Sequence, residues 1–316
     1  MCMYLAYDSY KFVAETSFCP AIMSPRVILW SLPRSCTTAV LRAVSSVDGG
    51  VFYWEPYGCA MYYGPERSEK EFLSVSSASS VSIADAPGAD VAYDSSVNTF
   101  DWVRQTLEAE HKGASLVFAK DFAFALGGKT ERLPVGYQHT FLIRDPTKVI
   151  PSWWKMNQEC RESCPAADEQ EMEEWQERQI GKYGGYDDLL ELYDFVKENL
   201  EPKPFVMDAD DLMAQPEKVL AAYCEATGIP FSNKLLDWED DWSKMNAKWI
   251  TCRDQLWLWN NSHHTNVRQS RGFLKSHQLP RADDTNSRLI LNPKITQLID
   301  CCKPYYKKLY QQRFAP

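Results

Sequence analysis

The chain has 316 residues, 45% hydrophobic and 13% aromatic, enough to bury one large core. Its formal net charge of −9 argues against a nucleic-acid surface, so any anionic ligand must meet locally concentrated Arg and Lys. Ten cysteines include no CxxC pair, the nearest being Cys160/Cys164 and Cys301/Cys302, which offers no zinc ribbon or thioredoxin-type motif and suits reduced thiols.

Residues 1–25 carry Asp8, Lys11 and Glu15 and no uninterrupted apolar stretch, so we read them as an extension without signal peptide or membrane anchor. No later stretch has the roughly 18 apolar residues a bilayer requires, and a cytoplasmic protein is expected. From residue 26 to 316 the pattern is that of a single domain. Val27 to Trp30 is a short apolar run that breaks at Pro33, and a helical pattern (Val40, Leu41, Val44) follows a cluster of hydroxyls. This reads as strand, tight loop, helix. The first N–H groups of a helix lack intrahelical partners and the dipole there is positive, which makes the turn an anion site. Arg34, Ser35, Thr37 and Thr38 add one cation and three hydroxyls, although an ordinary capped βα turn has the same local signature.

A second strand spans Val51 to Trp54 and stops at Glu55-Pro56. From Tyr57 to Val97 the pattern dissolves into Gly, Pro and Ser, and connections of this length are usually lids, binding loops or disordered insertions. Asn98 to His111 reads as a helix, Ser115 to Ala119 as a third strand, and His139 to Ile143 as a fourth, internal one. A helix resumes over Lys148 to Met156, and Ala167 to Leu200 is largely helical with an acidic, solvated run from Glu169 to Glu177. Pro204 to Asp208 makes a fifth strand, and Gln215 to Thr227 a helix ended by Gly228. Residues 233–290 yield no clear element, and a helix from about Pro293 to Gln312 closes the chain. The alternation predicts an α/β layered fold, with a central mostly parallel sheet of about five strands flanked by helices.

Three segments converge on one chemistry. The loop from Pro33 to Thr38 lacks the GxxxxGK[ST] glycines of an ATP or GTP loop, which disfavours a nucleoside triphosphate with magnesium. Arg144 follows a strand and Ser152 lies in the next helix, and ligands of open parallel sheets sit at the carboxyl ends of the strands. Asn266 to Ser276 sets Arg268, Arg271 and Lys275 around Gly272, which has no side chain to block a ligand. Guanidinium forks suit a ligand with two separated phosphates.

LPRSCTT, FLIRDPTKVIPSWW, Phe205 to Phe231 and CKPYYKKLYQQRF together resemble the P-loop-related sulfotransferases that use 3′-phosphoadenosine 5′-phosphosulfate. The resemblance runs from about Val27 to Phe314 and is weak in the long loop and from Asn233 to Asn261. It implies a 5′-phosphosulfate loop of Arg34, Ser35, Cys36, Thr37 and Thr38, with Arg34 where many members have Lys and Cys36 where Gly is usual. It implies a 3′-phosphate site of Arg144 and Ser152, assisted by Arg271 and the Gly272 amide. The product nucleotide is then adenosine 3′,5′-bisphosphate, and no metal is required.

A general base is also implied, and at the position of the catalytic His of small-molecule sulfotransferases stands Phe122. Glu55 resembles the glutamate base of some carbohydrate branches, and a strand-end carboxylate facing a partly dry crevice suits that chemistry. Asp121, His263 and His264 are the alternatives, and capping is another role for Glu55. Lys120 matches the lysine before the family's His and either stabilises the bridging oxygen or pairs with Asp145. Trp153, Trp154, Trp249, Trp257 and Trp259 are read either as core or as walls for a flat or cationic acceptor. The expected partner is a small-molecule hydroxyl or amine, with no nucleic acid or membrane and with a homodimer left open. Two rivals stand: a silent relative that binds the bisphosphate, and a nucleotide-dependent phosphoryl transferase.

Overall fold

In a computed structural model of the chain, residues 24–67, 88–162, 180–238, 248–260, 264–273 and 292–316 are described. The serine-rich part of the long loop, the acidic run, His263 and Lys275 lie outside them. Six strands form one sheet: β1 (Arg26–Ser31), β2 (Gly50–Trp54), β3 (Leu116–Phe122), β4 (Gln138–Ile143), β5 (Val206–Asp208) and β6 (Trp249–Ile250). Their order is β5-β4-β1-β3-β2-β6 and every pairing is parallel. One strand more than expected is therefore present, since two-residue β6 adds an edge beside β2 and is too short to leave a pattern. β3 also runs on to Phe122, three residues past its expected end, because Lys120 and Asp121 are buried in the sheet and interrupt only its apolar pattern.

The helices are α1 (Thr37–Val44), α2 (Pro56–Tyr63), α3 (Phe100–Glu108), α4 (Pro146–Glu162), α5 (Tyr186–Asn199), α6 (Ala209–Ala214), α7 (Pro216–Thr227), α8 (Thr265–Gln269) and α9 (Pro293–Tyr310). Successive strand residues alternate between two cores. On one face Ile28, Trp30, Val117 and Phe141 pack against α2, α3, α4, α5 and α9. On the other Val27, Leu29, Phe118 and Leu142 pack against α1, α6 and α7. Two covered faces explain strands that are apolar at almost every position. No described helix is long and apolar enough to cross a membrane.

α2 replaces the start of the expected loop. Tyr57 to Tyr63 contains a glycine and is apolar on nearly all sides, so it lacks the one-sided periodicity by which a surface helix is recognised. Its amides have an external anchor: Asp121 accepts from Tyr57 N at 2.6 Å and from Gly58 N at 3.0 Å. α3 is capped by the Thr99 hydroxyl, and α7 ends on Gly228 at φ 73°.

Candidate functional site

The register of the sheet brings the carboxyl ends of β1, β2 and β3 to one level. Trp30 lies opposite Asp121, Ser31 opposite Phe122 and Trp54 opposite Lys120. Glu55 continues this edge, its N–H donating to the Lys120 carbonyl at 2.9 Å. Arg144 follows directly on the end of β4.

Among the described residues the non-glycine positions with positive φ are Arg34 (67°), Cys36 (67°) and Glu55 (54°). Each costs about 1–2 kcal/mol for an L residue, and such strain collects at ligand sites. Arg34 and Cys36 flank Ser35, so the backbone alternates in sign as in the nests whose amides gather on an anion. Cys36 precedes α1 and its side chain caps none of the first-turn amides; Ala39 N donates to the Cys36 carbonyl at 3.0 Å, while the Thr37 and Thr38 amides suit an external acceptor. Cysteine at this glycine-like position is compatible with the loop shape, at the cost of strain.

The loop is tied to the second cation site. Arg34 Nε donates to Ser152 Oγ at 3.0 Å, and Arg144 Nη1 donates to the Arg34 carbonyl at 2.8 Å. Tyr186, on α5, donates its hydroxyl to the Arg144 carbonyl at 2.6 Å. Two polar atoms here are buried without a hydrogen-bond partner among the described residues, Ser35 Oγ and Arg144 Nε. Buried donors of this kind are costly unless something accepts from them, and an anion held between loop and β4 would do so.

Glu55 and Lys120 form an ion pair with only 12% and 2% of their side chains exposed. Lys120 Nζ also reaches Thr38 Oγ1 at 3.3 Å and lies 5.7 Å from the Trp54 ring and 5.4 Å from the Phe122 ring. The lysine therefore bridges the anion loop and the carboxylate rather than pairing with Asp145, whose carboxylate accepts from Thr147 N and Oγ1. Glu55 Oε1 accepts from Trp54 Nε1 at 3.0 Å as well, and Oε2 accepts from Gln255 Nε2 at 2.6 Å. Glu55 precedes α2, but its side chain does not cap that helix.

The other base candidates are placed differently. Asp121 is fully buried and accepts three backbone N–H bonds, from Tyr57, Gly58 and Phe122, which commits it to holding α2. Burial pushes its carboxyl up to about 8 against the pull of those amides. His264 is half-buried, edge-on to Trp54 at 5.7 Å. Phe122 stacks on Phe124 at 5.2 Å, and Phe124 on Trp153 at 6.0 Å, so an aromatic row starts at the end of β3. Trp154 and Trp249 are buried, and Trp249 packs on Trp54 and donates to Ser45 Oγ at 2.6 Å.

The third segment is held to α1 by a residue the sequence did not single out. Arg42, 1% exposed on α1, donates to the carbonyls of Val267 and of Ser270, the latter at 2.8 Å, and lies 4.8 Å from the Trp238 ring. A cation in an amphipathic helix reads as solvent-facing, which hid this role. The close approach at Gly272 is to protein: a Cβ there would stand 2.4 Å from the Leu236 carbonyl oxygen. Arg271 is exposed and its carbonyl accepts from Trp238 N at 2.9 Å.

No family model matches the chain. A curated relative from Arabidopsis thaliana, a branched-chain-amino-acid aminotransferase-like protein 2, is 26% identical over 156 residues, 49% of this chain but 22% of its own length. The chain thus spans about a fifth of that relative. Two solved structures are similar: the sulfotransferase domain from the curacin biosynthetic pathway (16% identity, 84% of this chain and 96% of that one, TM-score 0.42) and the sulfotransferase domain from the Synechococcus PCC 7002 olefin synthase (15%, 90% and 96%, TM-score 0.46). At these values neither bears on activity.

Proposed function

We propose that the chain is a sulfotransferase acting from 3′-phosphoadenosine 5′-phosphosulfate on a hydroxyl or amine of a small molecule. The observation that carries this reading is the Glu55–Lys120 pair: it touches the anion loop at Thr38, and Arg34, Ser152 and Arg144 join the same loop to a second cation site. The bound cofactor supplies the sulfuryl group and a bisphosphate leaving group. Arg34, Thr37, Thr38 and the loop amides neutralise charge at its 5′ end, and preorganised donors of this sort account for much of the barrier lowering in such transfers. Arg144, Ser152, Arg271 and the Gly272 amide hold the 3′-phosphate. Ser35 Oγ and Arg144 Nε gain the acceptors they lack.

Glu55 takes the acceptor proton, and Lys120 moves from Glu55 toward the bridging oxygen as the leaving group gains charge. The row of Phe122, Phe124 and Trp153 favours a flat acceptor. The test is transfer of labelled sulfate from the cofactor into the small-molecule fraction of a cell extract by wild type and by Glu55→Gln. The variant should keep bisphosphate affinity while turnover falls by about 10²-fold or more, the usual contribution of a general base. Unchanged turnover would move the role to a histidine.

A further inference from the structure

Glu55 has a neighbour that its role as base requires and that lies outside the phosphate motifs. Gln255 belongs to the helical turns over Arg253–Asn260 that follow β6, and it is 2% exposed. Its Nε2 donates to Glu55 Oε2 at 2.6 Å. Its Oε1 accepts from the Thr251 hydroxyl at 3.3 Å and from the Cys59 thiol, and Thr251 and Cys59 are themselves fully buried. Those two donors determine which way the amide points: turned over, it would set its oxygen against the carboxylate and its NH₂ against two donor groups.

The donors around Glu55 are unevenly divided. Among the described residues Oε1 receives two, Trp54 Nε1 and Lys120 Nζ, while Oε2 receives one, Gln255 Nε2. A carboxylate oxygen has two lone-pair directions, so Oε1 is filled and Oε2 keeps one. We propose that Gln255 is the positioning residue of the transfer, holding Glu55 so that the open lone pair of Oε2 faces the acceptor. The inference rests on the reading of Glu55 as base. In the step it supports, the acceptor O–H (or N–H) gives its proton to Oε2, a bond forms from that atom to sulfur, and the sulfur–oxygen bond to the 5′-phosphate breaks. The electron pair of that bond leaves with the bisphosphate.

Gln255→Met keeps volume and removes the donor, and Gln255→Glu sets a second carboxylate against the first. Both are compared with wild type in labelled-sulfate transfer to the extract fraction across pH, and in affinity for adenosine 3′,5′-bisphosphate. Gln255→Met should lower turnover 10- to 100-fold, with cofactor KM and bisphosphate affinity within twofold. Gln255→Glu should move the acid limb of the pH profile to higher pH, since like charges disfavour ionisation. Thr251→Val, which frees the amide while leaving the donor in place, should lose less turnover than Gln255→Met. The proposal is overturned if Gln255→Met turns over like wild type, or if turnover and bisphosphate affinity fall together, as a structural role requires. Loss in Glu55→Gln with none in Gln255→Met rejects Gln255 alone. Full turnover by Glu55→Gln, or no transfer by wild type, removes the reading beneath it.

Discussion

Arg34 Nε donates to the Ser152 hydroxyl at 3.0 Å, joining the first βα loop to the helix after β4 across 118 residues of chain. This bond aligns the side chain at the centre of the anion loop with the second cation site. Ser152→Ala leaves a guanidinium less well held. Bisphosphate affinity should fall about 10-fold, roughly 1.4 kcal/mol, as expected for a charge-assisted bond. Isothermal titration of both proteins measures it, with ligand-free melting as the control.

Cys36 bears a positive φ of 67° at the start of α1. Glycine adopts that conformation without steric cost, so Cys36→Gly should gain about 1 kcal/mol after its greater unfolded-state entropy is allowed for. Cys36→Val, β-branched at the same angle, should lose stability. Urea midpoints of the pair give the sign of each change.

Arg42 holds carbonyls of residues 267–270 from inside the protein. Arg42→Met keeps the aliphatic packing but leaves those carbonyls without their charged donor, at about 2–3 kcal/mol. Lower stability and faster limited proteolysis near residues 264–273 are expected. An unchanged digestion pattern would mean that the segment is held by other contacts.

Burial pushes His139 down to about 4, and its Nδ1 accepts from Trp30 Nε1 at 3.0 Å, which places the proton of the neutral ring on Nε2. The unfolded histidine titrates near 6.5, so the folded state binds fewer protons between these values. Its contribution is full above about pH 6.5 and is lost as pH falls toward 4, reaching about 2 kcal/mol of loss by pH 5. Urea titrations from pH 7.5 to 5 should show this slope in wild type and a flatter one in His139→Gln.

The parts of the candidate site that are legible in the sequence are local. Pro33, the hydroxyls around Arg34, and Arg144 with Ser152 announce themselves because a strand end, a helix start and the groups between them lie within a few residues. Glu55 was visible for the same reason, at a strand stopped by Pro56. Gln255 was not, since its meaning depends on β6 bringing it beside a residue 200 positions earlier. Arg42 and Tyr186 escaped because a cation and a phenol on amphipathic helices look the same whether they anchor a backbone or face water. Asp121 drew attention as a carboxylate, and only the position of α2 shows that its oxygens are occupied by amides.

On the proposed reading the site takes a bisphosphate nucleotide rather than a triphosphate with magnesium. Thermal shift of the full chain with adenosine 3′,5′-bisphosphate, beside ATP and Mg²⁺, tests it directly, because a ligand that binds the native state raises the melting temperature by mass action. We predict a saturable rise with the bisphosphate that is lost in Arg144→Ala, and no rise with ATP and Mg²⁺. No response to the bisphosphate, or a rise with ATP and Mg²⁺ alone, would contradict it.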